Sequence, residues 1–465
     1  MEESNEMEIR VKAKREVDMT KGLLLPKILK FALPLMATGV LQLLFNAADM
    51  VVVGRFVGDV ALGAVGATSN IVNLLVNLFM GLSIGAGVVM AKHYGAKKED
   101  AAQELVHTAM PLSLILGVVV LIIGLIVARP MLVLLKTPEN CLPLSHEYLS
   151  IYFLGVPFLM VYNFGASILR AIGDTVRSLI YLTIAGVLNV IVNLITVIVF
   201  EMGVAGVAYA TITSQGVSCL LVLICIMREK GYARFNIKKC AIRKKSLLSI
   251  LRFGVPSGIQ SALFSISNSV IQSTVNSFGE TALAANTAAQ GLEGFVFVVM
   301  NAVATTASTA VGQNYGAGNL DRIKASVKRC VLCSVLFSAS VSLIMFILRK
   351  PLISLYTTNE EAIAIAAERM TIILATYFFF GLMDVFTQSM RGMGYSVIPM
   401  IIVLFGTCIF RILWIYIIFP FNPVYQNVIL SYSVSWILTL IISIFVFLYL
   451  FAKRKKQLNV NKSIS

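Results

Sequence analysis

Hydrophobic residues along this chain form twelve long runs, separated by short polar or glycine-rich segments. A helix needs roughly 20 apolar residues to cross the hydrocarbon of a bilayer, and each run has about that length. The runs lack the strict alternation of barrel strands, so the pattern predicts helices. The predicted spans cover residues 31–53, 70–91, 106–128, 148–169, 178–200, 204–227, 253–277, 290–311, 329–348, 370–390, 397–419 and 427–451.

The polar breaks between these runs occur twice. Arg129-Pro130 matches Lys350-Pro351, and Leu169-Arg170-Ala171-Ile172-Gly173 matches Met390-Arg391-Gly392-Met393-Gly394 at the same offset. An internal repeat in a membrane protein is typical of two half-transporters around one central path. Each half has six predicted spans and enters the membrane with the same polarity. We therefore predict an all-α integral membrane protein with twelve transmembrane helices in two six-helix lobes, related by a pseudo-twofold axis along the membrane normal.

The order of polar and apolar segments divides the chain into five parts. They are a cytoplasmic amino-terminal tail, an amino lobe with helices 1–6, a basic cytoplasmic linker, a carboxyl lobe with helices 7–12 and a cytoplasmic carboxyl-terminal tail. The predicted bounds of these parts are, in the same order, 1–30, 31–228, 229–251, 252–452 and 453–465. In the second span, Gly81 and Gly85 have the spacing that allows two helices to pack closely.

Composition and charge support a membrane location. The chain is 58% hydrophobic and 13% charged, whereas about a quarter of the residues in a soluble domain are charged. Most of the 38 Lys and Arg residues fall in loops on the same side as the amino terminus, as the positive-inside rule requires of cytoplasmic loops. We therefore expect a multi-pass protein of the cell membrane with both termini in the cytoplasm. The net charge of +15 then reflects topology and contact with anionic lipid, not nucleic acid binding.

An ionisable side chain within a span costs at least about 2.5 kcal/mol, so each one is a functional candidate. Asp49 lies in the outer part of the first span, and Asn189 and Asn193 lie on one face of the fifth. Thr211 lies at a similar depth in the sixth. These carboxylate, amide and hydroxyl groups could coordinate a hard cation such as Na⁺, or the carboxylate could hold a proton. The alternative is a packing network in which Asp49 accepts hydrogen bonds from the asparagines.

The second half has different polar residues. Asp384 and Gln388 lie one turn apart in the tenth predicted span, and Arg411 lies in the eleventh. Asp384 is either a second coupling carboxylate or part of a structural ion pair, for which Arg411 is the candidate partner. The predicted spans separate these two residues by roughly 10 Å in depth. Arg369 is assigned to the outer side of the membrane, and Glu293 to the outer end of the eighth span.

The sequence argues against several function classes. No Gly-Lys dipeptide occurs, so the chain lacks a phosphate-binding loop for ATP. His93, His107 and His146 lie at or near span ends and form no metal cluster, and no hydrolytic constellation is present. We expect a monomeric carrier driven by an ion gradient, not an enzyme. It should need no cofactor and no metal, apart from a coupling proton or Na⁺.

Several motifs resemble those of the multidrug and toxic compound extrusion (MATE) family, over about residues 30–450. They are Pro34, Phe45-Asn46-Ala47-Ala48-Asp49, Val53-Gly54-Arg55, Ala61-Leu62-Gly63-Ala64-Val65-Gly66, Gly312-Gln313-Asn314-Tyr315-Gly316-Ala317-Gly318 and Met390-Arg391-Gly392-Met393-Gly394. The resemblance implies twelve helices in two lobes, a central cavity, and rocking between inward-open and outward-open states. It also implies export of small organic cations or other amphiphiles in exchange for Na⁺ or protons.

The resemblance further implies an amino-lobe ion site at Asp49, Asn189, Asn193 and Thr211. The family commonly has Asp at the position of Asn193, so the site in this chain holds one carboxylate instead of two. Asp384 matches an acidic residue that some branches use for coupling. Those branches add a Glu in the seventh span, which this chain lacks, so coupling should rest mainly on Asp49.

Three alternatives are weighed against a drug exporter. A lipid or lipid-linked oligosaccharide flippase of the same superfamily would line its cavity with several Arg and Lys residues, whereas Arg411 alone lies within a predicted span. An integral-membrane enzyme would need clustered His, Asp or Ser residues near one face. A purely structural or receptor role gives no reason for Asp49 and Asp384 within spans.

Overall fold

The computed structural model describes residues 16–135 and 137–464. In these ranges, twelve helices are long and apolar enough to cross a membrane. They are α1 Leu24–Val57, α2 Val60–Gly95, α3 Glu99–Leu134, α4 Leu142–Ala171, α5 Val176–Val199, α6 Gly203–Arg228, α7 Lys244–Asn276, α8 Glu280–Gly316, α9 Leu320–Ile353, α10 Glu360–Gly392, α11 Val397–Phe421 and α12 Tyr425–Gln457. The predicted all-α membrane class and the number of helices in the described chain are confirmed. Most helices extend beyond their predicted ends.

The helices form two compact units. The first contains the described residues up to Asp18 together with Leu33–Ala262, and the second contains Met19–Ala32 together with the described residues from Leu263 onward. The boundaries therefore fall inside α1 and α7 as well as near the amino terminus. Each of these two helices begins in one unit and ends in the other.

The first unit contains a close contact between α2 and α7. A Cβ atom added at Gly85 would lie 2.5 Å from the Ile250 carbonyl oxygen and 2.6 Å from the Gly254 amide nitrogen. Gly81 meets the backbone of Gly258 in the same way. The tight packing predicted at Gly81 and Gly85 is confirmed, and its partners are two glycines on α7.

The polar segment before α1 is anchored in the second unit. Met19 is fully buried, and its amide nitrogen donates to the Gln313 side-chain oxygen at 2.8 Å. The Met19 carbonyl oxygen accepts from Asn314 Nδ2 at 3.2 Å and from Arg322 Nη2 at 3.0 Å. The predicted tail is therefore held on α8 and α9 at Met19, and its residues 24–30 form the start of α1. Residues 1–15 of the tail lie outside the described chain.

The segment between α6 and α7 packs back on the first unit. The Asn236 amide donates to His107 Nε2 on α3 at 3.0 Å. Arg243 forms an ion pair with Glu104 at 3.0 Å, and the Ser246 hydroxyl donates to the same carboxylate at 3.1 Å. The middle and the carboxyl-terminal part of the basic linker are thus held against the first turns of α3.

Three helices contain stretches wound as π-helix, in which hydrogen bonds skip one extra residue. These stretches are Val53–Val57 in α1, Ile195–Val199 in α5, and Leu404–Ile409 and Trp414–Ile418 in α11. Such turns are rare and often occur at functional sites. Here they follow Asp49 and Asn193 and lie on both sides of Arg411.

Candidate functional site

Helices α1 and α5 pack closely at a glycine, Gly186. Gly186 of α5 has no room for a Cβ atom because the Phe45 ring of α1 occupies the space. Asp49 lies one turn after Phe45, and Asn189 and Asn193 lie about one and two turns after Gly186. Since residues three or four apart share a helix face, the contact directs all three polar side chains towards the same interface.

The carboxylate and one amide meet directly at this interface. Asn193 Nδ2 donates to Asp49 Oδ1 at 2.8 Å, and both asparagines are buried. The side-chain oxygens of Asn189 and Asn193 are buried, and neither has a hydrogen-bond partner among the described residues. A buried acceptor without a donor is costly. The site therefore has a carboxylate and two amide oxygens that can receive a proton or a hard cation.

Thr211 joins this group through a residue that the sequence did not single out. The Thr211 hydroxyl donates to the Val207 carbonyl at 3.0 Å. Tyr148 of α4 lies next to the Thr211 side chain and near enough to Asp49 to interact with it electrostatically. Of the four predicted residues, the structure joins Asp49 to Asn193 and links Thr211 through Tyr148. Asn189 lies on the same face of α5 as Asn193.

The π-helical stretch of α5 fixes this end of the site against α6. The Thr196 hydroxyl lies 2.9 Å from the Val192 carbonyl oxygen and 3.0 Å from the Gly206 carbonyl oxygen of α6. Gly206 leaves space for this contact, because a Cβ atom there would come within 3.1 Å of Thr196. The π-helical turn next to Asn193 is therefore held in place by its contact with α6.

In the second unit, Asp384 has local partners on α10. Thr387 Oγ1 donates to Asp384 Oδ1 at 3.3 Å, and the charge of Arg391 acts on the same carboxylate. Gln388, predicted to face Asp384, instead accepts a hydrogen bond from Arg391 at 3.3 Å. Arg391 is therefore a charged neighbour that the sequence interpretation did not consider.

Arg411 does not supply the charge next to Asp384. Its Nε donates to the Ser435 hydroxyl at 2.9 Å and its Nη1 to Asn268 Oδ1 at 3.4 Å. In the described part of the chain, no ion pair joins Arg411 to Asp384. The candidate pairing fails because the guanidinium is turned towards α7 and α12.

A different buried ion pair exists in this unit. Arg369 of α10 binds both carboxylate oxygens of Glu293 on α8, at 2.9 and 2.8 Å. Its Nη1 donates to Asn286 Oδ1 at 2.7 Å. From the sequence, Arg369 was placed outside the predicted spans and Glu293 at the outer end of the eighth, but the burial of both side chains and their pairing with each other were not predicted.

The MatE family profile matches residues 34–195 and 256–417, one segment in each half of the repeat. The chain belongs to the MATE family. A probable multidrug resistance protein, YpnP of Bacillus subtilis (strain 168), is 30% identical over 81% of this chain and 84% of its own length. The MATE membership expected from the motifs is confirmed.

The chain is also similar to a second transporter and to a solved structure. An FAD transporter of Shewanella oneidensis is 24% identical over 76% of this chain and 79% of its own length. A solved outward-facing multidrug resistance MATE transporter superposes with a TM-score of 0.89, at 21% identity, over 95% of this chain and 99% of its own. This second likeness establishes the fold. The chain is accordingly a multi-pass membrane protein with the MATE architecture.

Proposed function

We propose that this MATE protein is a secondary antiporter of the cell membrane. It exports cationic or amphiphilic drugs and other toxic compounds in exchange for protons or Na⁺, by alternating access between two lobes. The observation that carries the proposal is the Asp49 carboxylate bonded to Asn193, next to two buried amide oxygens that have no donor within the described chain. The multidrug resistance names of relatives such as YpnP support the substrate class.

The coupling step can be explained by the composition of this site, which has more hydrogen-bond acceptors than donors. With Asp49 ionised, the interface holds a negative charge and two unpartnered oxygens, which destabilise close packing of α1 on α5. A proton on Asp49 would remove the charge and supply one donor, whereas Na⁺ could be coordinated by the carboxylate and the amide oxygens together. Coupling then requires that the ion bind more tightly in one conformation than in the other, since equal affinity shifts no equilibrium. The π-helical turn that follows Asp49 gives α1 a place at which its winding can change.

The energy for export comes from the ion gradient. Each charge that enters across 100 mV releases about 2.3 kcal/mol, which is enough to concentrate a solute more than about tenfold, since 1.4 kcal/mol corresponds to tenfold. The carrier works as a monomer, with both termini in the cytoplasm and its basic loops against anionic lipid. Asp384 has a secondary role because Arg391 already acts on its charge.

Transport in everted vesicles tests the proposal. Ethidium movement is followed while a pH gradient and a Na⁺ gradient are imposed separately, for the parent, Asp49→Asn and the control Glu147→Gln. Glu147 is an exposed carboxylate on the same helix as Tyr148. We expect the parent and the control to respond to at least one gradient and Asp49→Asn to respond to neither. Gradient-driven export by Asp49→Asn at the parent rate would refute the coupling role.

A further inference from the structure

In the middle of α11 lies the Arg411 guanidinium, which has no counter-ion among the residues that the structure describes. Arg411 is 0% exposed. Its hydrogen-bond acceptors are a serine hydroxyl and an amide oxygen, and neither carries charge. In the described ranges, no carboxylate forms an ion pair with Arg411. Burying a charge that is unpaired is expensive, and such a residue within a span is a functional candidate.

Two buried donors at this place have no acceptor. Arg411 Nη2 and Trp436 Nε1 are both without a hydrogen-bond partner among the described residues. The Arg411 guanidinium carbon lies 5.7 Å from the centre of the Trp436 ring, so one small group could reach both donors. The unsatisfied groups are donors on a cationic site, which is the reverse of the acceptor excess at Asp49. A ligand with negatively charged oxygens would accept hydrogen bonds from these donors and neutralise the guanidinium.

The buried pair of Arg369 and Glu293 in the same unit provides an internal comparison. Arg369 directs its Nε and Nη2 atoms to Glu293 and its Nη1 atom to Asn286. Its charge is neutralised and its donors are used within the protein. Arg411 is equally buried, but among the described residues no carboxylate neutralises its charge and its Nη2 has no acceptor. A structural role of the kind that Arg369 has does not account for that difference.

Aromatic rings surround the same guanidinium. The Arg411 guanidinium carbon lies 4.2 Å from the centre of the Tyr432 ring and 5.6 Å from that of Phe264. Trp436 also packs on Tyr377 and Phe380, with ring centres 5.3 and 5.5 Å apart. The faces of these aromatic rings form an apolar surface next to the two unsatisfied donors. A planar aromatic body would pack against them with the favourable geometry of ring pairs.

We propose that Arg411 and Trp436 form a binding site for an aromatic anion, which is a carboxylate, sulfonate or phosphate attached to a planar ring system. The anionic oxygens accept from Arg411 Nη2 and Trp436 Nε1, and the ring packs among the aromatic side chains. The inference rests on the proposed exporter function and adds anions to its substrates. All contributing residues belong to the second unit, so the site is distinct from Asp49.

The irregular winding of α11 gives this site a route to rearrange. π-helical stretches lie before and after Arg411, and such turns allow a helix to shift its register locally. On α7, Phe264 and Asn268 are half-buried neighbours of the guanidinium. Because Arg411 is fully buried, binding at its Nη2 edge requires α11 or α7 to move away from the guanidinium.

The test compares two probes that differ by one anionic group. Riboflavin and riboflavin 5′-phosphate share the same aromatic ring system, and the second carries a phosphate. Their fluorescence is titrated with purified full-length protein in detergent, because stacking on Trp or Tyr quenches flavin emission. The variants are Arg411→Gln, Arg411→Lys and the control Arg329→Gln, which removes an exposed arginine of α9. Binding needs no ion gradient, so Asp49→Asn serves as a further control.

We expect the parent, Arg329→Gln and Asp49→Asn to bind the phosphate form about tenfold more tightly than riboflavin, the effect of one charge-assisted hydrogen bond. Arg411→Gln should reduce this ratio to near one, and Arg411→Lys should give an intermediate value. Equal affinity of the parent for both probes, or an unchanged ratio in Arg411→Gln, would overturn the proposal. Loss of export in Asp49→Asn with the ratio retained would separate this site from ion coupling.

A second measurement on the parent alone covers the case in which Arg411→Gln does not fold. Benzoate and benzamide have the same ring and nearly the same size, but only benzoate carries a negative charge. We expect benzoate to displace riboflavin 5′-phosphate at a concentration about tenfold below that required of benzamide. Displacement by both compounds at the same concentration, or by neither, would overturn the proposal.

Discussion

Glu293 of α8 and Arg369 of α10 are joined by two parallel hydrogen bonds of 2.9 and 2.8 Å in the interior of the second unit. The same guanidinium binds Asn286, about two turns before Glu293 on the same face of α8, and Tyr425 Oη lies 3.4 Å from that amide oxygen. Two-point pairing fixes orientation as well as distance. The pair therefore sets the position of α8 relative to α10 and connects both helices to the start of α12.

Removal of one partner of this pair should strongly destabilise the protein. Glu293→Gln leaves the Arg369 charge buried without compensation, which costs about 3–5 kcal/mol. We expect a clear fall in the thermal unfolding midpoint in detergent. Glu368→Gln, next to Arg369 but exposed and bonded to Gln426, should leave the midpoint nearly unchanged. The double variant Glu293→Gln, Arg369→Gln should lose less than the sum of the two single changes.

Asn193→Asp should change the ion dependence of transport. The substitution removes the amide that donates to Asp49 and places a second carboxylate at the same position, so the two like charges need a cation or proton between them. We expect Na⁺ to stimulate ethidium export by the variant more than by the parent. Export rates in vesicles at several Na⁺ concentrations measure this effect. Asn189→Asp, one turn away, shows whether the gain depends on direct contact with Asp49.

Gly85→Ala should separate two helices that touch through their backbones. The new Cβ atom would lie 2.5 Å from the Ile250 carbonyl oxygen, and backbone atoms cannot rotate away as a side chain can. Overpacking of this kind costs about 1–3 kcal/mol, which should appear as a lower unfolding midpoint. The matched control is Gly216→Ala in α6, where nothing lies within 4 Å. An equal midpoint in both variants would contradict the close contact.

Arg322→Ala should loosen the segment before α1. Arg322 Nη2 donates to the carbonyl oxygens of Met19, Lys21 and Gly22, each at 3.0 Å, and these bonds hold a stretch with little other regular structure. Hydrogen–deuterium exchange should become faster over residues 19–22 in the variant. Arg329→Ala, an exposed change on the same helix, should leave the exchange as in the parent. Exchange that is unchanged in Arg322→Ala would show that Gln313 and Asn314 suffice.

The fold could be predicted from the sequence because the bilayer imposes a strong pattern. Only helices satisfy every backbone group within hydrocarbon, so twelve apolar runs predict twelve helices. Their ends were less accurate, since polar residues continue a helix beyond the apolar run. α10 begins at Glu360 rather than at the predicted residue 370, and this error moved Arg369 from the protein interior to a loop.

The site was predicted only where helix periodicity determines the geometry. Asp49 and Asn193 could be paired because matched depth and a shared face place them together. Tyr148 was missed since a tyrosine near a helix end gives no distinct signal among the 15 in the chain. The neighbours of Arg411 could not be deduced, because rotation of α11 depends on π-helical turns that leave no recognisable sequence pattern.

The sharing of α1 and α7 between the two units bears on the ancestry of the repeat. If the chain were cut within the basic linker, the first part of α1 would lie on one fragment but belong to the second unit. The first part of α7 would lie on the other fragment but belong to the first unit. Neither fragment would contain all of its own packing partners, so reconstitution would require both to be made in the same cell. A single-repeat ancestor would by the same logic have been a pair of identical chains that exchanged the beginnings of their first helices. Gene fusion would then have converted an intermolecular exchange into an intramolecular one.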